Sequence, residues 1–116
     1  MVHSKDGVRF IETKAYNPYH PLPDKEVDRW LDHNIPTVFK FAKQHPDWRN
    51  EVLTFEIWST APLSAASLTR IEDVRNRNVR RYSVVVKQAD EIRFEFKQTR
   101  DKGLKKLLKN HFLRKQ

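Results

Sequence analysis

Cysteine is absent from this sequence of 116 residues, and its absence removes several classes of protein. Without cysteine there is no disulfide framework of the kind that stabilises small secreted domains. Thiolate metal sites and a cysteine nucleophile are excluded for the same reason. The fold must therefore rest on a hydrophobic core, and any catalysis must come from other side chains.

Glycine and long apolar runs are also scarce. The only glycines are Gly7 and Gly103, so no glycine-rich loop can cradle phosphates, and nucleotide hydrolysis and Rossmann-type chemistry are set aside. No apolar run approaches the roughly 18–20 residues of a membrane span, and the first residues lack the apolar stretch of a secretory signal. We expect a soluble, cytoplasmic protein with no membrane partner.

Positive charge is what the sequence has in excess. Lysine and arginine number 23 against 15 acidic residues, which gives a formal net charge of +8. At this length, and with 38% hydrophobic residues, the chain can close one core, so residues 1–116 are read as a single domain. The excess lies mainly at residues 70–81 and 101–116. A surface of this sign favours an anionic partner such as nucleic acid.

The first half of the chain predicts a strand followed by helices. Residues 8–16 are rich in β-branched and aromatic side chains, which is typical of a strand. Four prolines within 18–36 predict an extended loop at residues 17–23. A helix capped by Asp24 follows, with Pro36 ending or kinking it, and a second short helix runs from Pro36 to Gln44.

The second half alternates strands and helices. Its predicted elements are a strand at 51–59, a helix after Pro62 capped by Ser64 or Ser67, a strand at 82–87 and a basic amphipathic helix at about 101–115. Residues 92–97 alternate apolar and charged residues, which favours a further strand, although Ile92 and Phe96 also fit one face of a helix. The order predicts an α/β or α+β domain, with a mixed sheet of three to four strands flanked by helices.

The most specific local signal for chemistry is the pair Glu12 and Lys14. Residues two apart in a strand point to the same face, so this carboxylate and ammonium should lie side by side. Such a pair can hold a divalent metal and orient the water that attacks a phosphodiester. The alternative is an exposed strand pair with a small effect on stability.

The sequence around this pair resembles the core of the PD-(D/E)xK nucleases, the restriction-endonuclease-like superfamily. The matching residues are Glu12 and Lys14 in the segment Phe10-Ile11-Glu12-Thr13-Lys14-Ala15, followed by a helix, a hydrophobic strand and another helix. The resemblance covers about residues 7–60. It implies that Glu12 is a metal ligand, that Ile11 or Thr13 contributes a backbone carbonyl, that Lys14 positions the hydrolytic water, and that Mg²⁺ is the cofactor of an active enzyme.

One departure from that family concerns the second acidic ligand. The family places an acidic residue, usually Asp, on the strand before the Glu-x-Lys strand, with a helix before it. Six residues precede Gly7, which is too few for both elements, and Asp6 falls in the turn itself. We therefore expect an upstream segment or a partner subunit to complete the site, or else a non-cleaving binding module or an accidental resemblance.

Aromatic residues gather after the Glu-x-Lys strand. Tyr16, Tyr19 and His20 follow it closely and are candidates for lining a nucleic-acid groove, where they would stack on bases or touch phosphate. Their alternative is an ordinary place in an exposed loop. Trp30 and Trp48 are expected to fill the core between helix and sheet instead.

Two basic segments are candidates for phosphate contacts. The first is an arginine cluster between a helix and a strand, comprising Arg75, Arg77, Arg80 and Arg81. The second is the basic tail, comprising Lys102, Lys105, Lys106 and Lys109. The alternatives are a solvated helix end for the cluster and, for the tail, a helix that packs its leucines on the core and leaves its lysines in water.

Two functions from different classes follow from these features. The first is a nucleic-acid-binding domain, on DNA rather than RNA, that resembles a metal-dependent nuclease and uses Glu12 and Lys14 with Mg²⁺ if it is active. The second is a small basic interaction protein that binds an acidic protein surface through residues 70–81 and 102–115. The salt dependence of binding to oligonucleotides discriminates between them.

Overall fold

One mixed β-sheet forms the centre of the computed structural model, which describes residues 2–4 and 7–113 of the chain. Its strands are β1 (Val2–Ser4), β2 (Gly7–Lys14), β3 (Leu53–Ser59) and β4 (Ser83–Lys87), in that spatial order. Strands β2, β3 and β4 are parallel, whereas β1 pairs antiparallel with β2. The prediction of an α/β domain whose mixed sheet has three to four strands is confirmed.

Helices cover both faces of the sheet. They are α1 (Asp24–Arg29), α2 (Ile35–Gln44), α3 (Ala65–Arg77), α4 (Ala89–Gln98) and α5 (Lys102–Leu108), with π-helical segments at Trp30–Asn34 and Lys109–Leu113. The side chains that alternate along the strands divide the core in two. Residues such as Val8, Phe55 and Val84 pack against α1, α2 and α3, and Trp58 packs against α4 and α5. In the described part of the chain, no helix has the length and apolar character needed to cross a membrane.

Pro36 was predicted to end or kink the helix that begins at Asp24, and it does not end it. The helix continues through the π-helical segment Trp30–Asn34 into α2, and Pro36 is the second residue of α2. Asp24 does not cap its own helix either. Its carboxylate accepts hydrogen bonds from the hydroxyls of Ser64 (2.5 Å) and Ser67 (3.0 Å), and Ser64 caps α3 as predicted. The starts of α1 and α3 are thereby joined.

The prediction of a strand at residues 92–97 is wrong, because this segment lies in helix α4. A capping box joins Gln88 and Glu91 at its start, and Ile92 is buried one turn before the half-buried Phe96. Phe94, which a strand would have placed beside them, is 64% exposed. The alternation of apolar and charged residues at 92–97 therefore does not reflect a strand. Ile92 and Phe96 form the buried face of helix α4.

The C-terminal part of the chain is helical from Lys102 to Leu113. Asp101 caps α5 by accepting a hydrogen bond from the backbone N–H of Leu104, and Leu104 and Leu108 are buried against Trp58. The π-helical segment continues it to Leu113, and residues 114 and 115 of the predicted helix lie outside the described residues. The predicted packing of the leucine stripe on the core is found.

A charged network ties the second face of the sheet to α4. The guanidinium of Arg9 on β2 donates to both carboxylate oxygens of Glu56 on β3, at 2.6 and 3.0 Å, and contacts Glu95 of α4 at 2.8 Å. Lys87 reaches Glu95 at 3.0 Å, and the indole N–H of Trp58 donates to Glu56 at 2.8 Å. Two cations and two anions therefore compensate one another beside a buried tryptophan.

The first residue of β2 must be glycine. Gly7 has a φ of 122°, and a Cβ atom on it would lie 2.2 Å from the carbonyl oxygen of Val52. Both observations exclude a side chain at this position, because L-residues rarely adopt that φ and the strands approach closely. The predicted turn partner, Asp6, lies outside the described residues.

Candidate functional site

Glu12 and Lys14 lie side by side on the face of β2 that packs against α1 and α2. Glu12 is opposite Ile57 and Lys14 is opposite Ser59, the last residue of β3. The Lys14 Nζ atom is 3.7 Å from Glu12 Oε1. The pair therefore stands at the carboxyl end of the parallel strands, the edge at which α/β sheets most often bind ligands.

Helix α1 adds a second carboxylate to this pair. Glu26 Oε2 lies 3.4 Å from the same Lys14 ammonium, and Glu26 Oε1 accepts a hydrogen bond from the hydroxyl of Tyr16 at 3.2 Å. Arg29, one turn further along α1, approaches Glu26 at 3.5 Å. We refer to Glu12, Lys14, Tyr16 and Glu26 as the strand-end cluster.

The sequence analysis did not identify Glu26, although one signal points to it. Glu26 lies four residues before Trp30, which is 2% exposed and faces the sheet. A residue four positions earlier in a helix lies one turn away on the same side, so Glu26 is directed to the edge of the sheet. The signal is weak, because it requires knowing that this helix packs beside the Glu-x-Lys strand.

A cleft of about 190 Å³ opens next to Glu12. It is lined by Glu12 and by residues of β2, β3 and the α1–α2 helix: Phe10, Ile11, Trp30, Asn34, Ile35, Val38 and Phe55. The lining is mostly apolar, and Glu12 and Asn34 supply polar groups. The Glu12 carboxylate, 33% exposed, can therefore be reached by solvent or by a ligand at the edge of the sheet.

Neighbouring charges lower the pKa of one member of the cluster, Glu26. The Lys14 ammonium holds the pKa of Glu26 below its usual range, and hydrogen bonds from Lys14 and Tyr16 and the charge of Arg29 act in the same direction against partial burial. A lowered pKa in the folded state means that the charged form contributes stability above the unfolded-state pKa. That contribution is lost as pH falls through the folded-state pKa.

Replacing Lys14 with methionine is expected to raise the pKa of Glu26 towards its usual value. The ammonium is the largest cause of the lowered pKa, and methionine preserves much of the stem while removing the charge. The pKa is measured by following the Glu26 carboxyl carbon in an NMR titration. The control is Tyr16→Phe, which removes a lesser cause and should raise the pKa by less. An equal pKa for Glu26 in wild type and Lys14→Met would contradict the assignment.

The three predicted groove residues separate in the structure. Tyr16 is 42% exposed and belongs to the strand-end cluster through its hydroxyl. Tyr19 is 88% exposed and His20 is also exposed, in the loop that precedes α1. Within the described residues, neither of these two side chains makes a hydrogen bond or ion pair. The structure thus brings only Tyr16 to Glu12 and Lys14.

The arginine cluster is divided between internal contacts and solvent. Arg75 donates to the carbonyl of Val84 at 3.0 Å and to Glu72 at 2.6 Å, so it joins α3 to β4. Arg77 contacts the carbonyl of Asp73 at 3.4 Å, and Arg81 stacks over aromatic rings. Arg80 is exposed and has no partner among the described residues.

The arginine cluster and the basic tail both lie away from the strand-end cluster. The arginine cluster immediately precedes β4, whose first residue, Ser83, pairs with Thr54 near the start of β3, so it belongs to the amino end of the parallel strands. Lys102, Lys105, Lys106 and Lys109 are exposed on and just after α5, on the opposite face of the sheet. These cations are therefore not part of one site with Glu12 and Lys14.

The donor chemistry limits which metal the strand-end cluster could hold. Within residues 7–113, no group of three or more histidine, aspartate or glutamate side chains is placed to bind a metal ion. Glu12 and Glu26 supply oxygen donors only, the donor type that Mg²⁺ and Mn²⁺ prefer. Mg²⁺ is commonly bound in proteins by one or two carboxylates together with several waters or substrate phosphates.

Comparison with known proteins gives no relative. No family model, curated protein or solved structure matches the chain.

Proposed function

We propose that this chain is a nucleic-acid-binding domain with a metal-dependent phosphodiesterase site of the nuclease type at its strand-end cluster. The observation that carries the proposal is the contact of one ammonium, Lys14, with two carboxylates, Glu12 and Glu26, at the carboxyl end of the parallel strands. The Glu-x-Lys resemblance and the excess of positive charge support the same function.

In this proposal Glu12 and Glu26 are the protein ligands of Mg²⁺. The resemblance calls for an acidic residue on the strand before Glu-x-Lys, but β1 consists of Val2, His3 and Ser4, none of which is acidic. Glu26 fills that chemical role from the helix that follows. The water molecules and the substrate phosphate supply the remaining ligands, as is usual for this ion.

The side chains of the cluster have separate tasks. When bound, the metal supplies positive charge that polarises the phosphate and favours attack by water. Lys14, 18% exposed and held by both carboxylates, positions the attacking water and stabilises negative charge on the phosphate oxygens. The Tyr16 hydroxyl holds Glu26 in place by its hydrogen bond.

Metal-dependent nicking of supercoiled plasmid DNA tests this function. We expect the full chain, at about 50 mM salt, to convert supercoiled to open-circular DNA with Mg²⁺ or Mn²⁺ and not with EDTA. Glu12→Gln should abolish nicking, because the amide is a poorer metal ligand of nearly the same shape. The matched control is Glu91→Gln, which changes an exposed glutamate of α4.

Binding is measured separately by fluorescence anisotropy. The affinity for labelled DNA should fall steeply between about 50 and 200 mM salt, because neutralised phosphates release their counterions. If the wild-type protein binds DNA but produces no metal-dependent nicks, the proposed phosphodiesterase activity is wrong. Protein that binds no DNA at low salt would overturn the whole proposal and favour the alternative, a basic protein that binds an acidic protein surface.

A further inference from the structure

A second site with different chemistry lies between α2 and the segment that leads into β4. It is a groove of about 450 Å³, lined by Pro36, Phe39, Lys40, Lys43, Gln44, Arg81 and Tyr82. Among the described residues, the lining holds three cations and two aromatic rings and includes no carboxylate. We call it the basic aromatic groove.

The floor of this groove is an aromatic pair. Phe39 of α2 and Tyr82 before β4 have ring centroids 5.1 Å apart, and Tyr82 packs in turn against Phe55 of β3 at 5.1 Å. Tyr82 is 9% exposed and Phe39 is half-buried. The floor of the groove therefore packs on the core of the domain.

Arg81 lies on this floor as a preorganised planar cation. Its guanidinium carbon is 4.7 Å from the centroid of Phe39 and 5.9 Å from that of Tyr82, and one guanidinium N–H donates to Asn78 Oδ1 at 3.1 Å. Within the described part of the chain, no carboxylate lies within ion-pair distance of it. An exposed guanidinium stacked on rings presents its other face and its remaining N–H groups to a ligand.

Two lysines extend the charge of the groove along α2. Lys43 Nζ lies 5.5 Å from the centroid of Phe39 and donates to the carbonyl of Arg49 at 3.2 Å. Lys40, one turn earlier on the same side, is exposed and has no partner among residues 7–113. Two ammonium groups on α2, without a carboxylate partner among the described residues, lie beside a flat aromatic surface and suit a ligand that combines phosphates with planar rings.

We propose that the basic aromatic groove binds single-stranded nucleic acid, with a base stacked on the Arg81 guanidinium and the adjoining phosphates on Lys40 and Lys43. A single strand is favoured over a duplex because the planar face of Arg81 can be used only by a base that has left its stack. A volume of about 450 Å³ also falls within the range of sites that enclose one small ligand or residue.

The groove and the strand-end cluster are separate sites. Arg81 and Tyr82 immediately precede β4, at the amino end of the parallel strands, whereas Lys14 lies at their carboxyl end. Binding in the groove needs no metal ion, so its test is independent of the proposed phosphodiesterase. In an enzyme of that type, the groove would hold a strand while another part of the substrate reaches Glu12.

The test measures the affinity of the full chain for a fluorescent oligothymidylate of twelve nucleotides, in EDTA at low salt. Arg81→Ala should weaken binding by about tenfold, which corresponds to the loss of one stacked base. Arg81→Lys, which keeps the charge but not the plane, should recover little of that loss. Lys40→Glu, a change on the surface, should also weaken binding and make it less dependent on salt.

The matched control is Arg93→Ala, which removes an exposed arginine from α4 on the other side of the sheet. It should change the affinity by less than about twofold, since it removes the same net charge away from the groove. Wild-type affinity in both Arg81→Ala and Lys40→Glu would overturn the site. Full recovery by Arg81→Lys, or equal competition by a duplex of twelve base pairs, would overturn the stacked single strand. If the groove variants lose affinity for the oligonucleotide but still nick plasmid DNA, the groove and the phosphodiesterase site are shown to be independent.

Discussion

Replacing Glu56 with alanine is expected to lower the free energy of unfolding by about 3–5 kcal/mol, the usual cost of removing one partner from a buried ion pair. Glu56 is 3% exposed and accepts three hydrogen bonds, two from Arg9 and one from the indole of Trp58. Its removal leaves a half-buried guanidinium with Glu95 alone and leaves the Trp58 N–H without an acceptor. Urea denaturation followed by circular dichroism measures the change.

The matched control for Glu56 is Glu72, which also pairs with an arginine at 2.6 Å but lies on the surface of α3. Glu72→Ala should cost less than about 1 kcal/mol, because water solvates the released Arg75. Glu56→Gln should lie between the two, since its amide oxygen can still accept one hydrogen bond but carries no charge. Equal costs for Glu56→Ala and Glu72→Ala would show that the buried pair contributes no more to stability than the surface pair.

The elements with strong local signals could be predicted from the sequence. Leu53, Phe55 and Ile57 share one face of β3 because side chains alternate along a strand, and all three are buried. Ser64 caps α3 because its hydroxyl can accept a hydrogen bond from a free N–H of the first turn. These features depend on residues within one or two turns of each other, which a sequence displays directly.

The error at residues 92–97 arose because two periodicities coincide in this segment. Ile92, Phe94 and Phe96 alternate as a strand requires, but Ile92 and Phe96 are also four apart and pack around Trp58 as a helix requires. The capping box at Gln88 and Glu91 favours the helix, and packing against the sheet leaves Phe94 outside. The apolar spacing alone fits both a strand and a helix, and the capping box and the packing around Trp58 select the helix.

In the candidate sites, too, local contacts could be predicted from the sequence and long-range contacts could not. The proximity of Glu12 and Lys14 follows from a spacing of two in a strand, so it could be predicted. Glu26 joins them only because α1 folds back along β2, and the basic aromatic groove joins Phe39 to Arg81 across about forty residues of chain. Contacts between residues so far apart in sequence depend on the path of the chain in space, which cannot be predicted from composition and periodicity.

Loss of Lys14 should separate catalysis from binding. We expect Lys14→Ala to slow metal-dependent plasmid nicking by about 10²–10⁴-fold, the range typical of a positioned group that assists proton transfer. Its affinity for DNA should change by less than about threefold, since one of many cations is removed. Nicking rates and anisotropy are measured on the same preparation, with circular dichroism to show that the chain is folded.

The matched control for Lys14 is Lys25, an exposed lysine of α1 next to Glu26 in sequence. Lys25→Ala removes the same charge but leaves the contacts of Lys14 with Glu12 and Glu26, so nicking should proceed at nearly the wild-type rate. Lys14→Ala also leaves those carboxylates without their shared cation, so Mn²⁺ should bind at least as tightly as in wild type. If Lys14→Ala nicks DNA slowly but still binds Mn²⁺, the result supports the role of Lys14 in positioning the attacking water and stabilising charge on the phosphate. Weaker Mn²⁺ binding in Lys14→Ala would instead mean that the lysine only holds the carboxylates in place.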